Sequence, residues 1–161
     1  MTSRYSTRPF PRYRYIPGRA PHPVRDPDGH SFGLHPEPLE KFTADYWSSC
    51  AEYLYGIDLF NHRYWWEAHE ALEQCWVAAG RITETGLFLQ GLIQIAVACL
   101  KHEQGFTDVA ERMAEEGMQK FPRNREDMLG VNIRKICAET RSHVQSAGPP
   151  PVIALSPTCE K

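Results

Sequence analysis

The stretch "GLFLQGLIQIAVACL", residues 86 to 100, constrains the chain most. At about 100° per residue its apolar side chains cover nearly the whole circumference of a helix, and such a helix belongs at the centre of a bundle. With 15 residues and two glutamines it falls short of the roughly 18 apolar residues a membrane span requires. The other helices are then expected to wrap around it.

Helix signals flank it on both sides. Thr43 can cap a first helix running to about Phe60, a second spans roughly Arg63 to Ala79 and stops at Gly80, and the central one ends at Gly105. Thr107 can cap a fourth, ended by Phe121-Pro122, because the residue before proline resists the α region. A fifth is expected from about Glu126 to Val144. Five helices in hairpins without a strand pattern predict an all-α bundle. Tyr64, Ala68 and Leu72 are echoed by Phe106, Ala110 and Ala114 at an offset of 42, each set opening the second helix of a hairpin. Two ragged copies favour generic hairpins over a true repeat.

The sequence therefore divides into an extended arm (1–42), a helical bundle domain (43–145) and a proline-rich tail (146–161). The arm holds most of the 13 prolines, which cannot propagate a helix or a central strand. Its first 25 residues carry six arginines and no acid, whereas the rest of the chain carries eight more acids than bases. That asymmetry predicts an arm lying on its own body or on a sister chain. Arginines interleaved with Tyr5, Phe10, Tyr13 and Tyr15 also suit nucleic acid, a less favoured alternative. In the tail, Val152 to Leu155 can dock as an extended segment.

Cysteines 50, 75, 99, 137 and 159 have no zinc-like spacing and read as free thiols. The arm lacks a secretory signal's apolar region, and its prolines spoil a transit helix. A soluble cytoplasmic protein, without a membrane partner, is expected.

The candidate site comes from helix geometry. In "YWWEAHEALEQCW" (64–76), His69 and Glu73 lean toward the apolar stripe at i, i+4, while Glu67 and Glu70 fall on the far side. Gln90 and Gln94 are the polar interruptions of the central helix. Together His69, Glu73, Gln90 and Gln94, walled by Trp65, Trp66 and Trp76, are expected to form a polar cluster between helices two and three. Metal binding there, with Glu70 or Asp58 as further ligands, is expected to be absent, because the facing positions are glutamines. No cofactor is called for. His62 and His102 read as surface or capping residues, Asn61 as a helix end.

Two quoted segments, "DLFNHRYWWEAHEALEQCW" and "FLQGLIQIAVACLKHEQG", resemble the family catalogued as domain of unknown function three hundred and nine, small helical prokaryotic proteins. The resemblance covers roughly residues 46 to 121. It implies a compact helical bundle and no reaction. The arm and tail are additions to that pattern, and the fourth helix matches loosely. The cluster thus favours a binding or assembly module for a small ligand or protein partner, homo-oligomers included. A small hydrolase-like or metal-dependent enzyme is the alternative.

Overall fold

A computed structural model describes residues 3–156; Cys159 and the end of the tail lie outside the described residues. The fold is all-α. Helices α1 (Ala51–Asn61), α2 (Trp65–Ala79), α3 (Glu84–Glu103), α4 (Thr107–Met118) and α5 (Ile133–Ser146) form a bundle in which each packs on the next. A two-stranded antiparallel hairpin, β1 (Asp127–Met128) and β2 (Val131–Asn132), precedes α5.

The central helix is where the apolar run places it. Phe88, Leu89, Leu92, Ile95, Ala96 and Cys99 are fully buried, and α3 contacts α2, α4 and α5. Thr83 starts it two residues earlier than expected, its Oγ1 accepting from Gly86 N at 3.0 Å. At 20 residues α3 is long and apolar enough to cross a membrane, yet 61% of its most apolar window is buried by the bundle. Most of its apolar surface is core, Leu87 being exposed.

Both hairpins turn in the same way. Arg63 (φ 67°) and Gly105 (φ 86°) are left-handed, and the aromatic that follows donates its backbone N–H to a carbonyl five residues back: Tyr64 to Leu59 and Phe106 to Lys101, each 2.9 Å. This closure satisfies carbonyls that a helix end leaves unpaired. Ala68, Leu72, Ala110 and Ala114 then enter the core. The 42-residue echo thus marks one turn geometry used twice.

Other helix starts differ from expectation too: Thr107 is the first residue of α4 and not its cap, which is Phe106 and makes no side-chain cap bond. Thr43 does not cap α1; Cys50 is extended (φ −82°, ψ 107°), and residues Trp47–Ser49 make a 3-10 turn instead. That turn delivers the Trp47 ring edge-on to Tyr53, centroids 6.0 Å apart. Near α5, Leu129 (φ 50°) and Gly130 (φ 76°) form the hairpin turn, so the helix begins at Ile133 and not near Glu126. A side chain at Gly130 would meet the Trp47 ring at 2.5 Å, and Tyr53 Oη donates to Leu129 O at 2.8 Å. Tertiary contacts stabilise a left-handed leucine that costs roughly 1 kcal/mol locally. Asn132 is the cap, accepting from Lys135 N.

The last turn of α5 carries a titratable contact. His143, buried, donates through Nδ1 to Gly148 O at 2.8 Å and lies 4.5 Å, ring to ring, from His102. Burial pushes its pKa below the ordinary 6.5, and the His102 and Arg63 charges push it the same way, against the Gly148 carbonyl and Glu103. A histidine with a lowered folded pKa stabilises above its unfolded pKa and loses that contribution as pH falls. Thermal unfolding is expected at a lower midpoint at pH 5 than at pH 7, with a smaller drop in His143→Gln.

Candidate functional site

The predicted cluster does not assemble as drawn. His69 and Glu73 meet, Nε2 to Oε2 3.6 Å, but His69 Nδ1 also faces Glu70 Oε1 at 3.3 Å, and all three side chains reach solvent. One ligand atom from each lies within 4.8 Å of the others, a set that could hold a divalent cation. Gln90 and Gln94 form no hydrogen bond to this trio among the described residues. Gln94 sits on the α4 side, where its Cβ stands close to Gly117, and its Oε1 is buried without a partner. The reason is the adjacent Gly91, which docks α3 against α4 and takes the glutamine flank with it.

The tryptophans separate too. Trp65 is core, edge-on to Phe60 at 5.1 Å. Trp76 sits at the tip of the α2–α3 turn, its Nε1 donating to Arg81 O at 3.3 Å beneath the Arg81 guanidinium. Trp66 alone borders a polar site, edge-on to Tyr15 (5.5 Å) and His22 (5.7 Å) of the arm.

That site centres on Glu67, expected outward and in fact 4% exposed. Its Oε1 accepts from Tyr15 N at 2.9 Å and pairs with His30 Nε2 at 2.8 Å. The arm covers the face that helix geometry assigned to solvent. Burying a carboxylate unpaired is costly, and these two partners from the arm offset part of that cost. Glu70 remains half exposed, as expected.

Two further polar residues of α1 behave likewise. Asp58, fully buried, accepts from Tyr5 N (2.8 Å) and Ser6 N (2.9 Å), with Arg4 Nε at 3.4 Å. Asn61 ends α1 and also pairs with one residue of the tail, donating to Ile153 O at 2.8 Å and accepting from Ile153 N at 2.7 Å. A side-chain amide here does what a neighbouring β-strand would do. Arm and tail then meet directly, Leu155 N donating to Tyr5 Oη at 2.9 Å. A sequence signal for this existed: Asp58 and Asn61 are polar at i, i+3 inside the apolar run "YGIDLFN", where a buried polar group needs a partner.

Side chains of the arm fill in around these main-chain contacts. Phe10 lies between Tyr55, His62 and Tyr64, with ring centroids 6.5, 4.8 and 5.0 Å away. Arg8 pairs with Glu52 at 2.8 Å and covers the Tyr55 ring, and Arg14 forks onto Glu103 at 3.1 and 3.3 Å. Arg12 donates to Asp28 O. Four of the arm's arginines therefore have partners within the chain.

Cys50, Cys75 and Cys99 are buried free thiols. The neighbouring Cys75 thiol pulls the Cys50 pKa below the ordinary thiol range, but the residue is 1% exposed. Cys50 and burial raise the Cys75 pKa, and burial raises that of Cys99.

Residues 53–113, from α1 to the middle of α4, match the model of a family described as Domain of unknown function (DUF309). No curated protein matches the chain. Asp58, Asn61 and Glu67 lie inside the matched segment, whereas the arm and tail they hold lie outside it.

Proposed function

We propose that the DUF309 domain of this chain is a holding module for extended polypeptide, occupied here by the chain's own arm and tail. One observation carries the reading: Asp58, Asn61 and Glu67, all buried, each bond to main-chain groups of segments outside the domain, with the His30 and Arg4 side chains as further partners of Glu67 and Asp58. Main-chain recognition selects an extended conformation, and side-chain pockets add specificity. The Phe10 site and the carboxylates Glu52 and Glu103 are those pockets. The free buried thiols support a cytoplasmic setting.

A fluorescent peptide of residues 3–34 tests the proposal. It is expected to bind a chain that starts at residue 35, its bundle verified by circular dichroism, and to bind the intact chain poorly because the line is already filled. Glu67→Gln in the shortened chain should weaken binding by about tenfold, the effect of one charge-assisted hydrogen bond. Equal binding to both chains would defeat it. Salt-sensitive RNA binding by the intact chain, lost on arm removal, would instead favour the nucleic-acid reading.

A further inference from the structure

A second region stands apart from the arm and tail. A cavity of about 540 Å³ opens where the end of α4, the link 119–126 and the first turn of α5 meet, lined by Met118, Phe121, Pro122, Arg123, Arg125 and Arg134, with Asn124, Glu126 and Ile133. Its floor is apolar and its rim is cationic. Arg125 is tied to Glu84 at 2.9 Å, but Arg123 and Arg134 form no ion pair among the described residues. Glu126 is the single acid in the lining.

Charge makes this place unusual in the molecule. Outside its first 25 residues the chain is acidic, yet residues 119–135 carry five bases (Lys120, Arg123, Arg125, Arg134, Lys135) against Glu126 and Asp127. No acid lies in the first turn of α5, where Arg134 and Lys135 stand instead. Positive side chains at a helix start oppose the helix dipole. Lys135 has Glu139 at 3.8 Å, but for Arg134 neither helix stability nor a carboxylate partner among the described residues accounts for the charge. Locally unfavourable charges gathered on one concave wall are the kind of conflict a binding site produces.

We infer that this cavity binds a small phosphate ester, its phosphates on the Arg123 and Arg134 guanidiniums and its carbon skeleton against Pro122, Ile133 and the edges of Met118 and Phe121. Guanidinium forks suit phosphate oxygens in pairs, and the volume lies within the usual range for small-molecule sites. Arg125, held by Glu84, serves as a fixed wall of the same sign.

Isothermal titration of the full chain with ATP, and separately with pyrophosphate, tests the inference. ATP is expected to bind more tightly than pyrophosphate because only ATP offers a skeleton to the apolar floor. The double variant Arg123→Ala/Arg134→Ala should weaken ATP by about tenfold or more with an unchanged unfolding midpoint, whereas Arg19→Ala/Arg25→Ala on the arm should not. Absence of ATP binding at millimolar concentration would overturn the proposal, as would equal loss in the arm variant. Equal affinity for the two probes would overturn the role of the apolar floor.

Discussion

Asp58→Ala is expected to lower stability by about 2–4 kcal/mol and to release the beginning of the arm. The carboxylate is fully buried and accepts two successive backbone N–H groups, Tyr5 and Ser6, with the Arg4 guanidinium beside it. A net loss of about 1.5–3 kcal/mol per hydrogen bond to a charged group sets the scale, and the small cavity left by the side chain adds to it. Part of the loss is recovered when the freed N–H groups reach water. Tail and arm share the Tyr5–Leu155 contact, so the effect should spread to residues 152–155. Hydrogen exchange distinguishes this from general softening: amides of Tyr5, Ser6 and Ile153 should lose protection while those of α3 keep theirs. Uniform loss across the bundle would mean that Asp58 supports α1 itself and not the docked segments.

Gly91→Ala is expected to cost about 1–3 kcal/mol, the range for overpacking a closely fitted core. A Cβ there would stand 2.5 Å from the Phe121 ring and 2.7 Å from Gly117 O, and the latter is backbone, which cannot swing aside. Across the contact, a Cβ on Gly117 would lie 2.9 Å from Gly91 O. Alanine normally improves a helix by roughly 1 kcal/mol over glycine, so the tertiary clash must exceed that gain for the variant to be less stable. Denaturant unfolding of Gly91→Ala decides the sign. A rise in the midpoint would show that α3 and α4 separate at little cost, and would undo the explanation given for the position of Gln94.

His69 shows how far helix geometry carries and where it stops. The wheel correctly brings His69 to Glu73, because i, i+4 neighbours on one helix need no other element. It fails for Gln90 and Gln94, because which flank of α3 faces α2 depends on where α4 docks, and the Gly91–Gly117 contact fixes that. Glu67 fails for a related reason: a wheel assigns its far side to water, with no means of knowing that residues 15 and 30 return to cover it.

What the sequence by itself determined was periodic or local. The all-round apolar run made α3 the central helix, Gly80 and Gly105 ended α2 and α3, and the motif words in "DLFNHRYWWEAHE" and "FLQGLIQ" pointed to the family whose model residues 53–113 match. Each depends on neighbours within a turn or two of the same chain segment, where spacing alone fixes geometry. Tertiary structure decided the rest: that Leu129 turns left-handed under Tyr53 and Trp47, that Asn61 pairs with Ile153 across 92 residues, and that buried Asp58 and Glu67 hold the arm. Such pairings depend on the free energy of burying a polar group with its partner, and that partner is chosen by the packed fold, not by distance along the chain.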